Sequence, residues 1–210
     1  MLETESYAAQ AARWPQSGRH ILAQFDAHRV VVYQAFRPKI AHFAAANGFF
    51  GGAFSLSRMS WVKPNFLWMM FRCGWATKED QETVVAVSLR RDAFDAILAG
   101  AVPSSYDAAR YGTEAAWKDA AAVSQVRMQW DPDHDPAGGK VGRRAVQLGL
   151  RGDFLARYAR EWVVSIEDVT PFVIEQRRHA QAGDWGALVT PREEVYPVGE
   201  RLAAQIGVTL

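Results

Sequence analysis

The segment at residues 58–78 places the strongest constraint on how this chain can fold. It contains three Trp, two Phe and three Met together with two Arg and two Lys. Burial of such large side chains stabilises a fold by roughly 1.5–3 kcal/mol each, so most of the segment should enter a core. Its guanidinium and ammonium groups must then be paired or face a cleft, because an unpaired buried charge is very costly. The segment therefore predicts the wall of an anion-binding pocket.

The length of the chain predicts one globular domain. A chain of 210 residues can build a full core, since at this size roughly 70% of the unfolded surface is buried on folding. Residues 1–18 are alanine-rich and polar, which predicts a flexible, loosely attached N-terminal arm. Residues 19–210 are then the globular domain.

Composition argues against several classes of function. The net charge of +1 gives no global reason to bind nucleic acid or a membrane, so any basic site must be local. The single Cys73 excludes an intramolecular disulfide and a multi-cysteine zinc site. No apolar run reaches the ~18 residues that suggest a membrane span, and the acidic start does not resemble a signal peptide. We expect a cytoplasmic protein without a membrane partner.

Residue patterns predict an α+β fold. Runs of β-branched residues and apolar–polar alternation predict strands at 29–36, 82–89, 124–130, 144–150 and 162–166. Proline, glycine and capping signals predict helices at 38–47, 64–73, 92–98, 115–122, 153–161, 171–182 and 198–206. Because the strands do not alternate regularly with helices, we expect a single mixed, mainly antiparallel β core with flanking helices.

The acidic segment at residues 131–136 is the one cluster of metal-capable groups. Its three Asp alternate as in a calcium loop, but two Pro and the lack of a following Glu break that pattern. We expect no metal there, and carboxylates that cap backbone amides or pair with Arg127 or Arg143. Cys73 lies on a predicted buried helix with no His nearby, so it is interpreted as an inert thiol.

Polar residues that interrupt apolar segments outline a second candidate site. Structural hydrogen bonding explains any one of them, since a buried polar group needs a partner. Together they indicate a cleft of amides and guanidinium groups, suited to a phosphate-bearing ligand with hydroxyls. The set is Tyr33, Gln34, Arg58, Lys63, Arg72, Lys78, Gln81, Gln129, Asp131, Arg143, Gln147 and Glu161.

Four segments carry a resemblance to a known family. They are Val-Tyr-Gln-Ala-Phe at 32–36, the stretch at 58–75, Gln-Trp-Asp-Pro at 129–132 and Val-Gln-Leu-Gly-Leu at 146–150. These segments resemble the signatures of domain-of-unknown-function family 4291, over nearly the whole chain from residue 19 to the Pro-Arg-Glu-Glu-Val-Tyr-Pro that starts at residue 191. The family label carries no activity.

The order of the first elements is similar to the opening of compact ADP-ribosyltransferases. A strand with Val-Tyr-Gln-Ala precedes a short helix and then Asn-Gly-Phe-Phe, and the next strand is followed by a helix that starts Arg-Asp-Ala-Phe. In that family the first strand carries an Arg or His that binds NAD. Here Gln34 stands at that position, and no Glu falls unambiguously on a late strand as the ribose-binding acid. The analogy implies an ADP-ribosyltransferase-like fold with NAD as ligand, although a fold alone does not establish chemistry.

The leading hypothesis is therefore a transferase with an ADP-ribosyltransferase-like fold that binds NAD or a related nucleotide, and an NAD-dependent ADP-ribosyltransferase is the enzyme class that this fold implies. Such an enzyme needs cations around the diphosphate, an aromatic ring against the nicotinamide, and polar groups that stabilise an oxocarbenium-like ribose. The cofactor-binding candidates are Tyr33, Gln34, Arg58, Trp61, Lys63, Arg72 and Gln129, and the catalytic candidates are Gln147 and Glu161.

The alternative hypothesis is a non-catalytic nucleotide- or RNA-binding module with the same basic, aromatic cleft. The near-neutral charge argues against long nucleic-acid tracks but allows one or two nucleotides. Either hypothesis expects a nucleotide ligand, and the transferase also needs a protein or nucleic-acid acceptor. Slow consumption of NAD indicates the transferase, whereas salt-sensitive oligonucleotide binding without turnover indicates the binding module.

Overall fold

The computed structural model describes residues 2–209. In chain order its elements are β1 (Thr4–Ser6), α1 (Tyr7–Ala11), β2 (Gly18–Arg19), β3 (Leu22–Ala23), β4 (Arg29–Phe36), α2 (Pro38–Asn47), β5 (Ser60–Val62), α3 (Phe66–Cys73), β6 (Thr83–Arg90), α4 (Arg91–Ala99), β7 (Ala101–Pro103), α5 (Ala108–Tyr111), α6 (Glu114–Val123), β8 (Val126–His134), β9 (Lys140–Leu150), α7 (Gly152–Arg157), a π-helical turn (Tyr158–Trp162), β10 (Val163–Asp168), α8 (Thr170–Ala182), β11 (Val189–Pro191), β12 (Glu194–Val195) and α9 (Glu200–Ile206).

Two main sheets organise these elements. The first is antiparallel with the order β10-β6-β4, and its register pairs Tyr33 with Ala86 and Gln34 with Val85. The second has the order β2-β9-β8-β7, and β5 also pairs with β9. The β8–β9 and β5–β9 pairs are antiparallel, whereas the β2–β9 and β7–β8 pairs are parallel. The expected α+β fold with mixed, mainly antiparallel pairing is confirmed, but the strands form separate sheets rather than a single one, with β1–β11 and β12–β3 as two further antiparallel pairs.

A core shared by the two sheets lies between them. Because side chains alternate along a strand, each strand sends every second residue into this core. The two sheets contribute, among others, Val30, Val32, Val85, Val87, Val126, Met128, Val146 and Leu148. The opposite face of the first sheet packs with α3 in a second cluster that includes Val31, Tyr33, Val84, Ala86, Leu67 and Met70. The expected shared core is confirmed.

The helix α3 is formed by local signals and buried by its composition. The Asn65 side chain accepts a hydrogen bond from the Trp68 backbone N–H at 2.6 Å, which caps the first turn. Gly74 ends the helix in the left-handed conformation at φ 59°, where glycine carries no steric penalty. Phe66 is 0% exposed and Met69 2% exposed, so the expected packing of this helix against the core is confirmed.

Residues 4–14 do not form the loosely attached arm that the sequence suggests. Strand β1 pairs antiparallel with β11, and Tyr7 and Trp14 are buried in the second cluster. The Gln10 side chain is fully buried and donates to the Thr190 hydroxyl at 2.9 Å. Alanine-rich sequence gives little local signal, and these contacts come from residues far away in the chain.

The acidic segment at residues 131–136 continues β8 into a hairpin. Asp133 accepts a hydrogen bond from Arg143 Nε at 2.5 Å in a buried ion pair. Asp135 accepts hydrogen bonds from the backbone N–H groups of Ala137 and Gly139. The expected pairing and capping are confirmed for Asp133 and Asp135, whereas Asp131 instead accepts a hydrogen bond from the Gln147 side chain. Within residues 2–209, no group of three or more potential ligands is arranged to hold a metal ion.

From Leu2 to Thr209, no helix is both long enough and apolar enough to cross a bilayer.

Candidate functional site

A large open cleft lies beside the edge of the first sheet. Its volume is about 770 Å³, within the roughly 300–1,000 Å³ that is typical of small-molecule sites. It is bounded by the end of β4, the start of α2, the loop that leads into β5, and α3. The lining residues are Gln34, Ala35, Phe36, Arg37, Lys39, Ile40, Ala53, Phe54, Ser55, Arg58, Met59, Ser60, Trp61, Lys63, Met69, Arg72, Asp80, Gln81, Gln129 and Gln147.

The cleft concentrates positive charge in a chain that is nearly neutral. Five cationic side chains line it but only one carboxylate, Asp80, and that carboxylate pairs with Arg37 at 3.4 Å. Arg58 and Arg72 are exposed at the rim. Among residues 2–209, neither of these two arginines has an ion-pair partner. The cleft therefore presents guanidinium groups that are free to bind an anion.

Lys63 lies deeper in the cleft than the arginines. It is only 4% exposed. Its backbone is fixed, because its N–H donates to the Tyr33 carbonyl at 3.2 Å and its carbonyl accepts from the Tyr33 N–H at 2.7 Å. Within the described chain its ammonium group has no hydrogen bond and no ion pair. Burial, together with repulsion from Arg72, lowers the pKa of Lys63 to about 8, against a smaller opposing attraction from Asp131.

Amide side chains form the polar floor of the cleft. Gln129 of β8 lies directly opposite Gln147 of β9 in the antiparallel register. Gln147 Nε2 donates to Gln129 Oε1 at 2.8 Å and to Asp131 Oδ2 at 2.7 Å. Both donors of the Gln147 amide are thus used to hold its neighbours, and Asp131 is positioned next to the cleft. The arrangement presents carbonyl and carboxylate oxygens that can accept hydrogen bonds from ligand hydroxyls.

Gln34 connects the cleft to the shared core. Its amide nitrogen donates to the Ser60 hydroxyl at 2.8 Å and to the Trp61 carbonyl at 3.1 Å. Its amide oxygen accepts from the Tyr158 hydroxyl at 2.6 Å. Gln34 is 3% exposed, so these bonds satisfy a buried amide and fix the strand that carries Trp61. Gln34 lines the cleft, and its hydrogen bonds hold Ser60, Trp61 and Tyr158 in position.

Trp61 forms an aromatic wall over β9. It lies opposite Gly149 in the β5–β9 register, and a Cβ added at Gly149 would be only 2.9 Å from the Trp61 ring and 2.6 Å from Met59 Sδ. A side chain at this position would therefore displace the indole or the thioether. The glycine allows Trp61 to lie close to the strand while its half-buried ring lines the cleft.

Seven of the nine sequence-predicted site residues meet in this one cleft: Gln34, Arg58, Trp61, Lys63, Arg72, Gln129 and Gln147. Tyr33 does not. It is 0% exposed and packs edge-on against Phe66 at a centroid distance of 5.4 Å. Side chains alternate along a strand, so Tyr33 and its neighbour Gln34 must face opposite sides of β4. Tyr33 is a core residue and cannot stack on a ligand in the cleft.

Glu161 also lies outside the cleft. Its side chain is 64% exposed and pairs with Arg157 at 3.3 Å, four residues earlier. The π-helical turn buries Tyr158, Ala159 and Trp162, and this leaves Glu161 on the solvent side. The expected catalytic carboxylate is therefore not at the site. The carboxylate that contacts the polar floor is Asp131.

The sequence did not point to Arg37 or Lys39, which line the cleft, and it pointed to Asp131 as part of the polar set without a binding or catalytic role. Arg37 and Lys39 enter the cleft because they flank the start of α2, directly after β4. Asp131 adjoins it through Gln147, and it also lines a neighbouring cavity of about 470 Å³ that shares Gln129 with the cleft. Gln129 and Asp131 are two residues apart on one strand and so lie on the same face of the sheet. This spacing could have predicted from the sequence that Asp131 lies near the cleft.

Comparison with known protein families identifies the chain. Family DUF4291, described as "Domain of unknown function (DUF4291)", matches residues 20–196. The protein belongs to this family, and the resemblance stated from its sequence segments is confirmed. A comparison with curated proteins finds none that matches the chain. The description of the family names no activity, so function must be argued from the cleft.

Proposed function

We propose that the cleft binds NAD or a related nucleotide, and that the protein is a transferase with an ADP-ribosyltransferase-like fold. One observation carries the binding proposal: five cationic side chains and one carboxylate line a single open cleft, and Arg58, Lys63 and Arg72 have no ion-pair partner within residues 2–209. Unpaired cations around a partly apolar cavity favour an anionic ligand. Guanidinium groups match the geometry of phosphate, which they bind through two parallel hydrogen bonds.

The remaining parts of the ligand can be assigned by chemistry. Trp61 offers an aromatic surface for a planar ring, as nucleobases and nicotinamide require. Gln129 and Asp131 offer oxygen acceptors for ribose hydroxyls, and Gln147 holds both of them in position. The order β4, α2 and then Gly48 at φ 74° supports the analogy with ADP-ribosyltransferases, as does the α+β fold. Gln34 takes the place of their NAD-binding Arg or His, and here the rim arginines supply the charge.

The transferase chemistry places modest demands on the protein. The bond between the nicotinamide nitrogen and the ribose carbon breaks with its electron pair leaving on nicotinamide, and an acceptor nucleophile forms a new bond to that carbon as it loses a proton. Asp131 is the carboxylate at the polar floor, so it would stabilise the positive charge on the ribose or accept the proton. Asp131 thereby takes the catalytic role that Glu161 cannot fill, and Gln147 becomes a positioning residue.

Calorimetry with NAD, ADP and AMP tests the binding proposal. We expect binding by the wild-type protein and a dissociation constant roughly 10- to 100-fold higher for Arg58→Ala, the scale of a charge-assisted hydrogen bond. The matched control is Arg157→Ala, because Arg157 is on the surface outside the cleft and pairs with Glu161. An unchanged affinity of Arg58→Ala, or no binding of any of the three nucleotides, would refute the proposal.

Release of nicotinamide from NAD tests the catalytic part. We expect slow release by the wild-type protein and a loss of at least about tenfold for Asp131→Asn, which keeps the shape of the side chain and removes its charge. Nucleotide binding without nicotinamide release would instead favour the non-catalytic module. In that case, oligonucleotide binding that weakens with salt would identify RNA as the partner.

A further inference from the structure

Lys63 is the unusual group in this cleft, because its surroundings do not explain why a lysine should be there. The residue is only 4% exposed, and it lines the cleft. Within residues 2–209 its amino group has no hydrogen bond and no ion pair. A lysine that only binds phosphate serves as well from the exposed rim, where Lys39 lies. Burial without a partner is costly for an ammonium group, and it suits a group that works as a neutral amine.

We propose that Lys63 is a nucleophile that forms an imine with the aldehyde of a phosphorylated sugar. The cleft brings together the three groups this ligand needs: rim arginines for the phosphate, amide and carboxylate oxygens for the hydroxyls, and a buried primary amine for the aldehyde. The ligand class is an aldose phosphate in its open-chain form. This proposal shares the anion-binding cleft with the nucleotide proposal, but it does not require that NAD be the ligand.

The reaction is a condensation that needs no further reagent. The lone pair of Lys63 Nζ forms a bond to the aldehyde carbon, and the carbonyl π electrons move to oxygen, which takes up a proton. The nitrogen then loses a proton, and the hydroxyl departs as water after a second protonation. The products are a carbon–nitrogen double bond and one water molecule, so atoms and electrons balance.

The surroundings of Lys63 favour the neutral amine through two physical effects. Burial disfavours the charged ammonium form, and Arg72 of α3 repels it, so the pKa of Lys63 is lowered to about 8. Desolvation and a neighbouring cation are the two ways in which proteins activate nucleophilic lysines. Asp131 of β8 and the Cys73 thiol act in the opposite direction with smaller effect. The other charged groups that line the cleft are Arg37, Lys39, Arg58 and Asp80.

The geometry also holds the amine in place. The two backbone hydrogen bonds between Lys63 and Tyr33 join the end of β5 to the first sheet. Pro64 and the Asn65 cap of α3 follow at once, so the backbone has little freedom on either side. A nucleophile on a fixed backbone meets its substrate in a defined orientation, which is a large part of catalysis by proximity.

Imine trapping on the wild-type protein tests the proposal. The protein is incubated at pH 7.5 with 2-deoxyribose 5-phosphate and sodium cyanoborohydride, which reduces an imine to a stable amine. The modified lysines are then found by peptide mass spectrometry. The chain contains five lysines, and the four others, Lys39, Lys78, Lys118 and Lys140, are all exposed. They serve as internal references in the same folded molecule, so no variant has to fold for the test to work.

We expect Lys63 to be labelled about 100-fold faster than the four exposed lysines at pH 7.5. The reason is that a pKa near 8 gives a far larger neutral fraction than the ordinary value of 10.5. 2-Deoxyribose without the phosphate should label it at least tenfold more slowly, and inorganic phosphate should compete. Arg72→Gln should weaken the dependence on the phosphate group, and Lys118→Arg should change neither rate, because Lys118 is exposed on α6 outside the cleft and pairs with Glu114.

Two outcomes would overturn the proposal. One is labelling of Lys63 no faster than that of Lys39, and the other is equal labelling by the sugar with and without its phosphate. The test is independent of the nucleotide proposal, because calorimetry with NAD measures a different ligand. Phosphate-dependent labelling of Lys63 without nucleotide binding supports this inference and refutes the nucleotide proposal, and nucleotide binding with no selective labelling does the reverse.

Discussion

Replacement of Lys63 by methionine should make the protein more stable. Methionine has nearly the same length and shape but no charge, so the change removes a buried ammonium that has no partner within residues 2–209. The difference between a folded pKa of about 8 and the ordinary 10.5 corresponds to about 3 kcal/mol at 1.36 kcal/mol per pKa unit. We therefore expect Lys63→Met to raise the free energy of unfolding at pH 7 by about 3 kcal/mol, or the melting temperature by roughly 6–12 °C.

The pH dependence of this difference follows from the lowered pKa. Below pH 8 the folded and unfolded states both carry the proton, so the folded protein bears the full cost of the buried charge. Between pH 8 and pH 10.5 the unfolded state binds a proton that the folded state lacks, and the free energy of unfolding of the wild type rises. The stability advantage of Lys63→Met should therefore be greatest below pH 8 and shrink to nothing near pH 10.5.

Urea unfolding followed by tryptophan fluorescence measures this effect, and the chain has eight Trp to report on it. Unfolding of both proteins is measured from pH 7 to pH 10.5, and the difference between them is analysed. Burial raises the pKa values of Tyr33 and Tyr158, which lowers stability at high pH equally in both proteins and cancels in the difference. Lys39→Met is the control and should stay within about 0.5 kcal/mol of the wild type, because Lys39 is exposed. A variant less stable than the wild type at pH 7, or a difference that does not change with pH, would refute the reasoning.

Three further predictions concern separate parts of the structure. Arg72→Ala should weaken nucleotide binding by about 1.5–3 kcal/mol in calorimetry. The free energy of unfolding should change by less than about 0.5 kcal/mol, because the side chain is exposed and unpaired among residues 2–209. A large loss of stability would show that the arginine is structural. Gln34→Leu should lower the free energy of unfolding by about 2–4 kcal/mol, because it leaves the buried hydroxyl of Tyr158 unpaired; a neutral effect in urea titrations would contradict this. Arg143→Met should lower the free energy of unfolding by about 3–5 kcal/mol, because it removes the ion-pair partner of Asp133, a carboxylate whose pKa burial already raises. Melting curves equal to those of the wild type would argue against a buried pair.

Local patterns predicted much of the secondary structure. Strand β4 occupies the residues predicted from its β-branched run, and α2 extends from Pro38 to Asn47 as its proline and glycine signals indicate. The capped turn at residues 131–136 was also expected, although β8 continues into it as far as His134. These features depend on residues close together in the chain, which is why the sequence predicts them.

The alternation of side chains along the strands also predicts which residues can share the site. Alternation along β4 means that Tyr33 and Gln34 cannot share a face, and the structure buries Tyr33 accordingly. The same rule places Asp131 on the face of Gln129. Both conclusions follow from neighbouring residues once the strand is known.

Residues 58–78 combine large apolar side chains with fixed cations that must face solvent or a ligand, so the local sequence was enough to predict that Arg58, Lys63 and Arg72 line a cleft. The position of the acids and the burial of each cation depend on contacts between residues far apart in the chain, which no local pattern predicts. Glu161 is directed to solvent by the burial of its neighbours Tyr158 and Trp162, whereas the pairing of β8 with β9 brings Asp131 to Gln147 at the floor of the cleft. Lys63 and Arg72 are both cationic residues of the same segment, but packing buries Lys63 and leaves Arg72 exposed at the rim. Burial lowers the pKa of Lys63, and this is what distinguishes it from the neighbouring arginine.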